Sequence, residues 1–209
     1  MVQMELKNIE KSYDKKTVFK NFNLTIEKGE FIGIKGESGK GKTTLLNIIG
    51  LMESCQGSIF IEGEQVSSSD KKKVRQLLKN KIGYLFQNFA LIDDFTVYDN
   101  LKIVMERKTK EEMRNQMIQA LLKVGLKEEY LDKKVYKLSG GEQQRVAVAR
   151  LILKKSDIIL ADEPTGSLDS KNSEMIMKLL EEFHKENKTI IMVTHDEKML
   201  EYCTRVVVL

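Results

Sequence analysis

The chain has 209 residues, of which 41% are apolar, enough to bury one substantial core in a single domain. Its net charge of +4 comes from 35 basic and 31 acidic residues that are mixed along the chain, which argues against nucleic acid as a partner. Cys55 and Cys203 are the only cysteines. They lie far apart, in no metal or redox spacing, so we expect reduced thiols and no disulfide. No apolar run approaches the ~20 residues that span a bilayer, and residues 1–6 lack the long apolar stretch of a signal peptide. We therefore expect another chain to cross any membrane at which this one acts.

Two segments near the N-terminus alternate apolar and polar residues. The apolar positions are Val2, Met4 and Leu6 in the first segment and Phe22, Leu24 and Ile26 in the second. This period of two predicts two half-buried antiparallel strands, with residues 14–16 as the exposed turn region between them. Tyr13 lies at that turn, where its ring can either pack against the protein or stack on a flat base. Residues 57–63 predict a further strand that extends the same small sheet.

A glycine-rich segment follows residues 31–34, an apolar run that suits a buried strand. In a phosphate loop, the pattern that this segment matches, the backbone N–H groups form an anion nest. Lys42 is then expected to reach the β- and γ-phosphates, and the Thr43 hydroxyl to ligate Mg²⁺. The helix predicted from Thr43 and Thr44 onward adds a dipole that favours the anion. A glycine-rich turn without a ligand is the alternative interpretation. The segment matches the phosphate-loop pattern G-x-x-x-x-G-K-[ST] over Gly36, Glu37, Ser38, Gly39, Lys40, Gly41, Lys42 and Thr43.

The middle of the chain predicts a basic helix, a buried strand and a helical lobe. Residues 70–80 suit a helix with one apolar stripe and a basic face, which is either solvated or in contact with anionic lipid headgroups. Residues 82–86 predict a buried strand, and Gln87 follows at its carboxyl end, where open α/β sheets bind ligands. A simple loop residue is the other interpretation of Gln87. The apolar stripe within residues 96–137 predicts core packing in a helical lobe.

The segment Leu138-Ser139-Gly140-Gly141-Glu142-Gln143-Gln144-Arg145 admits two explanations. Ser139 and Glu142 have the spacing of a helix capping box ahead of an apolar run. Two glycines in a first helical turn, however, are each unfavourable by about 0.5 to 1 kcal/mol against alanine, which suggests that something approaches the backbone closely. A phosphate at the helix N-terminus fits. The octapeptide resembles the signature motif of ABC-type ATPases without a mismatch. In that family the motif of one subunit closes on the γ-phosphate held by the phosphate loop of the other.

The remaining motifs follow in the order of that family. Residues 158–164 predict a buried strand that ends in two carboxylates, which are unfavourable there unless they meet a cation or a proton. By the resemblance, Asp162 is the acid on the Mg²⁺ side and Glu163 orients and polarises the attacking water; helix capping is the alternative role for Glu163. Asp169 ends a segment similar to the loop at the subunit interface. His195, after the buried strand predicted at residues 189–194, is similar to the histidine that contacts the γ-phosphate.

The same resemblance completes the predicted site. It implies that Tyr13 stacks on adenine and that Gln87 lies near Mg²⁺ and the contact with a membrane subunit. The predicted catalytic residues are Lys42, Glu163 and His195, and the predicted metal ligands are Thr43, Gln87 and Asp162. The predicted ATP-binding residues are Tyr13, Gly36, Glu37, Ser38, Gly39, Lys40, Gly41, Lys42, Thr43, Thr44, Gln87, Ser139, Gly140, Gly141, Glu142 and Asp169.

Two features depart from the family pattern. Lys40 stands where the family usually has a small residue, commonly serine, so the phosphate loop carries an extra cation. The sequence also ends at Leu209, where family members generally continue into a hairpin, and we expect no substrate-sensing C-terminal domain. The expected fold is an α/β P-loop NTPase of ABC type in one domain over residues 1–209. It combines a mainly parallel core sheet, a small antiparallel β subdomain and a helical subdomain inserted at about residues 90–155.

The resemblance implies that the chain hydrolyses ATP with Mg²⁺ and powers a separate integral membrane permease. Residues 83–89 and 94–97 resemble the lipoprotein-release, macrolide-export and bacteriocin-export group, which favours export. An importer subunit and a mechanical signalling ATPase without transport remain open as alternatives. The resemblance also implies a homodimer, or a pair with another ATPase subunit, formed head-to-tail around two ATP molecules at the cytoplasmic face of the cell membrane. Substrate choice belongs to the membrane subunits, so nothing in this chain predicts the substrate.

Overall fold

The computed structural model describes residues 1–14, 16–106 and 108–209. Its strands are β1 (Val2–Tyr13), β2 (Lys16–Glu27), β3 (Phe31–Lys35), β4 (Gln56–Ile61), β5 (Glu64–Val66), β6 (Ile82–Leu85), β7 (Ile158–Asp162), β8 (Thr189–Val193) and β9 (Arg205–Val208). Its helices are α1 (Lys42–Ile49), α2 (Lys71–Asn80), α3 (Val97–Lys102), α4 (Lys110–Lys123), α5 (Gly140–Lys154), α6 (Ser170–Lys185) and α7 (Glu197–Leu200), with 3₁₀ helices at Glu128–Asp132 and Val135–Lys137.

The strands form one parallel and one antiparallel sheet. The parallel sheet has the order β6-β7-β8-β3-β9, and the antiparallel sheet has the order β2-β1-β4-β5. The parallel sheet is buried on both faces, because alternate residues of its central strands belong to different cores. In β7, Ile158 and Leu160 pack with the antiparallel sheet and α1, whereas Ile159 and Ala161 pack with α3 to α6. Uninterrupted apolar runs are typical of such strands, and the predicted α/β class is confirmed.

The N-terminal hairpin is longer than the alternating pattern predicts. β1 and β2 stay paired along almost their whole length, but with several register shifts. Asn8 and Asn21 adopt left-handed backbone conformations with φ of 53°, which asparagine tolerates better than most residues. Such irregularities interrupt the period of two. The halves of both strands next to the turn therefore lack the alternation by which a strand is predicted. Of the predicted turn region, Asp14 lies in a turn and Lys16 begins β2, while Lys15 lies outside the described residues.

The helical character predicted for residues 96–137 is confirmed as separate segments, with Arg107 outside the described residues. Side-chain caps mark where helices begin: Thr96, Thr109 and Ser139 each accept a bond from a backbone N–H three residues ahead. α3, α4 and α5 lie between β6 and β7 in the chain and share a core with one face of the parallel sheet. In the described ranges, no helix is long and apolar enough to cross a membrane.

Strand β9 was not predicted from the sequence. It pairs in parallel with β3 at the edge of the sheet. The Leu209 N–H then donates to the Lys35 carbonyl at 2.9 Å, and a Cβ on Gly36 would lie 3.2 Å from the Leu209 carbonyl oxygen. The last residues therefore pack directly beneath the start of the phosphate loop.

Candidate active site

A cavity of about 420 Å³ opens where β3, β7 and β8 reach their carboxyl ends, beside the N-terminal hairpin. Parallel strands end at the same edge of a sheet, which is where α/β proteins bind ligands. Three of the lining residues, Lys16, Val18 and Val193, belong to no sequence motif, and all the others were predicted as site residues. The lining consists of Tyr13, Lys16, Val18, Ser38, Gly39, Gly41, Lys42, Thr43, Thr44, Gln87, Glu163, Val193 and His195.

Gly41 makes the tight entry into α1. Its φ of 96° is left-handed, and a Cβ at this position would lie only 2.3 Å from Cγ1 of Val18. Both the backbone conformation and the close approach of β2 therefore require glycine here. The hairpin packs directly on the phosphate loop, which explains why Val18 lines the cavity.

The two lysines of the loop have different environments. The Lys42 ammonium donates to the carbonyls of Gly36 at 2.7 Å and of Glu37 at 3.0 Å, and an ammonium has a third N–H for another acceptor. The Lys40 side chain is 55% exposed and its ammonium lies 3.7 Å from the Glu37 carboxylate. Lys42 is thus held within the cavity, whereas Lys40 makes a surface ion pair.

Thr43 and Asp162 supply the oxygen ligands expected of a magnesium site. The Thr43 hydroxyl donates to the Asp162 carboxylate at 3.3 Å, and Gln87 adds an amide at the cavity wall. No group of three or more His, Cys, Asp or Glu side chains that could hold a metal occurs within the described ranges. Mg²⁺ typically uses one or two protein ligands, with waters and substrate phosphates completing its shell, so these residues fit that ion.

The carboxyl group of Asp162 is largely buried. The residue is 9% exposed; burial raises the pKa of its carboxyl group, and the bond from Thr43 offsets this only in part. Asp162→Asn keeps an acceptor for Thr43 and removes the buried charge. We expect the melting temperature without nucleotide to rise by roughly 2–4 °C, the shift that about 1 kcal/mol produces in a chain of this size. Differential scanning calorimetry measures this shift.

The stability gained by Asp162→Asn should depend on pH, and the sign of that dependence follows from the raised pKa of Asp162. The charge penalty is absent below the unfolded-state pKa of about 4 and is fully present above the folded-state pKa. The advantage of Asp162→Asn should therefore grow as the pH rises towards 7. Asp157→Asn is the matched control: it lies just before the same strand, is exposed and pairs with Lys188 at 3.4 Å, and should not raise the melting temperature. A lower melting temperature for Asp162→Asn at pH 7 would contradict this account.

Glu163 adopts a left-handed conformation with φ of 44°. Such a conformation is unfavourable by about 1–3 kcal/mol in a residue other than glycine, and it persists where the surroundings hold it. Here its N–H donates to the Val193 carbonyl at 2.9 Å. Its carboxylate is hydrogen-bonded to Nδ1 of His195 at 2.9 Å, which brings together two predicted catalytic residues. The alternative capping role is not seen for the following helix, since Asp169 caps α6.

The signature segment lies apart from this cavity. Ser139, Gly140, Gly141, Glu142 and Asp169 are not among the described residues that line it. Ser139 and Glu142 form both bonds of the capping box at the start of α5, as their spacing predicts.

Asn172 links the signature helix to the loop that contains Asp169. Arg145 donates to the Asn172 side-chain oxygen at 2.6 Å, and the Asn172 amide donates to the Asp169 carboxylate at 2.6 Å. A Cβ on Gly141 would lie 2.8 Å from the Asn172 side chain, so a contact within the chain accounts for that glycine. Among the described residues, a Cβ on Gly140 would meet only the Phe89 ring, at 3.8 Å, and an approach from outside remains a prediction there.

Gln87 precedes a turn whose contact with α5 was not predicted from the sequence. Phe89 and Ala90 have φ of 62° and 48°, and the Arg150 guanidinium donates to their carbonyls at 2.9 Å and 2.5 Å. Burial lowers the pKa of Arg150. A charged residue within the apolar run of α5 was the only sequence signal for this contact.

Relatives of this chain are found by sequence. A sequence profile of the ABC transporter family matches residues 19–166. The macrolide export ATP-binding/permease protein MacB of Shewanella sp. (strain W3-18-1) is 42% identical over 194 residues, which cover 91% of this chain and 30% of that protein. The chain thus spans less than a third of that relative. The uncharacterized ABC transporter ATP-binding protein MJ0796 of Methanocaldococcus jannaschii is 39% identical over 217 residues, which cover 99% of this chain and 92% of that protein.

Solved structures that resemble this chain belong to the same family as these relatives. The dimeric structure of MJ0796, a bacterial ABC transporter cassette, has a TM-score of 0.91 at 38% identity and covers 99% of this chain and 94% of its own. A post-hydrolysis state of the same cassette bound to ADP and Pi has a TM-score of 0.90 at 37% identity, with the same coverage. The predicted resemblance to the macrolide-export group is confirmed. The chain belongs to the ABC transporter family and is one of its ATPases.

Proposed function

We propose that two copies of this chain bind two ATP molecules between them and that hydrolysis powers export through a separate membrane permease. The observation that carries the proposal is the cavity that gathers Lys42, Thr43, Gln87, Glu163 and His195. Phosphoryl transfer requires an anchor for the phosphates, ligands for Mg²⁺ and a group that orients the attacking water. The cavity offers a candidate for each.

Each residue has a defined task in this proposal. The loop N–H groups and Lys42 hold the phosphates, and Thr43, Asp162 and Gln87 hold Mg²⁺, which neutralises phosphate charge when bound. Glu163 orients the attacking water and accepts its proton. His195 keeps the Glu163 carboxylate in place from 2.9 Å and lies where it can contact the γ-phosphate.

A dimer is proposed because the two parts of the predicted ATP site, the cavity residues and the signature segment, lie apart in one chain. Ser139 and Gly140 are exposed and lie outside the cavity lining, so the signature would complete the site of a second copy. Two equivalent sites then form across one isologous interface. The dimeric structure of MJ0796 supports this arrangement.

The proposed export role rests on the macrolide-export relatives. Their name covers an ATP-binding and a permease part. We place the permease on a separate chain and the ATPase at the cytoplasmic face of the membrane. Affinity purification from native membranes in mild detergent tests this, followed by ATPase and vesicle transport assays of the complex. A retained membrane protein and outward substrate movement are expected; retention of a substrate-binding protein and inward movement would contradict export.

The role of Lys40 has its own test. Its side chain is exposed and pairs with Glu37, and screened surface charges contribute little to binding. Lys40→Ser should therefore change ATP affinity by no more than about threefold and reduce only its salt dependence. Isothermal titration at low and high salt measures both quantities. A loss beyond about tenfold would give the Lys40 side chain a direct contact with phosphate.

A further inference from the structure

Tyr13 is held by its hydroxyl although its ring is exposed. The ring is 45% exposed at the cavity, and the hydroxyl donates to the Glu53 carboxylate. The hydroxyl oxygen also lies 3.4 Å from Oγ1 of Thr44 in α1. A phenol has one O–H, and that of Tyr13 donates its hydrogen bond to Glu53. The Thr44 hydroxyl is therefore the donor in the second contact. The ring is therefore tied to the helix that follows the phosphate loop.

Glu53 is itself fixed. The Lys11 ammonium lies 2.9 Å from its carboxylate and also donates to the Ser54 carbonyl at 2.8 Å. The Glu53 N–H donates to the Asn47 carbonyl at the end of α1. Burial pushes the pKa of Glu53 upwards, but the bonds from Lys11 and Tyr13 outweigh it and the pKa lies below its usual value. Glu53 is thus an ionised acceptor at neutral pH.

Lys11 also restricts which side of the Tyr13 ring a ligand can use. Its ammonium lies over the ring, 4.9 Å from the centroid, a cation–π arrangement. That face is occupied, so a flat ligand has to stack on the opposite face. The network of Lys11, Glu53 and Tyr13 therefore fixes both the position of the ring and its available side.

We propose that Glu53 is a positioning residue for ATP binding, which holds Tyr13 by its hydroxyl so that the free face of the ring receives the purine base. This inference rests on the proposed function, ATP binding in this cavity, and on the stacking of Tyr13 on adenine that the sequence resemblance implies. A ring that is already ordered loses less rotamer freedom when the ligand binds. Removing the hydroxyl contact should weaken ATP binding by about 3- to 10-fold, on the scale of one immobilised side chain.

The test compares Mg-ATP with Mg-tripolyphosphate, which has the phosphates but no base. Dissociation constants are measured by titration calorimetry for the wild type, Glu53→Ala, Tyr13→Phe and the double variant. Each single variant should weaken ATP binding by about 3- to 10-fold and leave tripolyphosphate binding unchanged. The double variant should match the single ones, since both remove the same contact. Tyr13→Phe keeps an exposed ring and provides the test even if Glu53→Ala does not fold.

Three results would overturn the role of Glu53: unchanged ATP affinity in both single variants, equal weakening of both ligands, or effects that multiply in the double variant. Tyr13→Ala separates this inference from the proposed stacking. If Tyr13→Ala weakens ATP but not tripolyphosphate while Tyr13→Phe and Glu53→Ala do not, only the positioning role fails. If Tyr13→Ala also leaves ATP binding unchanged, the stacking role of Tyr13 fails as well.

Discussion

Glu163→Gln should lower the rate of ATP hydrolysis by about 10²–10⁴-fold, the usual effect of removing a general base. Glutamine keeps the size of the side chain and an oxygen that can accept from His195, which is hydrogen-bonded to Glu163 at 2.9 Å. It cannot accept the proton of the attacking water. ATP binding should therefore persist, and the two properties are separated by steady-state phosphate release and by titration with ATP.

The same variant should trap the dimer. If each signature segment closes on the other copy's nucleotide, slow hydrolysis keeps the two copies together. Light scattering should show Glu163→Gln as a monomer alone and as a dimer with Mg-ATP. The wild type should return to the monomer as its ATP is consumed.

Glu201→Gln is the matched control for this experiment. It makes the same chemical change at an exposed residue outside the cavity lining, so turnover and association should match the wild type. Unchanged turnover in Glu163→Gln would remove Glu163 from the proposed chemistry. A Glu163→Gln protein that binds ATP tightly but stays monomeric at high concentration would contradict the shared site.

Much of the site was predictable because its residues follow directly from strands of one parallel sheet. Lys42 comes after β3, Glu163 after β7 and His195 after β8, and the carboxyl ends of parallel strands meet at one edge. Their sequence order and the apolar runs before them are local signals. The hydrogen bond between Glu163 and His195 was not predicted, but their proximity follows from the topology.

Side-chain contacts between elements that are distant in the sequence and belong to no common motif were not predictable. The pairing of Lys11 with Glu53 depends on the irregular register of β1 and on the left-handed Leu51, with φ of 58°, which turns the chain after α1. The bonds from Arg150 to the turn after Gln87 depend on how α5 packs beside β6. The close approach of Asn172 to Gly141 was not predicted either, and the predicted contact of Gly141 with a nucleotide stays a prediction. Each outcome depends on tertiary packing that no single segment encodes.

Lys42→Ala should weaken ATP binding by about 10- to 100-fold, the range expected for one charge-assisted hydrogen bond of about 1.5–3 kcal/mol. The Lys42 ammonium now bonds the carbonyls of Gly36 and Glu37 at 2.7 Å and 3.0 Å. It is therefore already positioned over the start of the loop, with an N–H left for a phosphate. The alanine variant loses that contact, and it also leaves the two carbonyls without their donor.

Lys40 provides the control that separates a local phosphate contact from the general charge of the loop. Lys40→Ser and Lys42→Ala remove one positive charge each from the same loop, but the Lys40 ammonium lies at the surface beside Glu37. If net charge decided affinity, both variants would weaken ATP binding alike and both losses would disappear at high salt. If the Lys42 contact decides it, only Lys42→Ala should bind weakly, and the loss should persist at high salt. Titration of both variants with labelled ATP at two salt concentrations distinguishes these results, and unchanged affinity in Lys42→Ala would mean that the loop does not hold the phosphates.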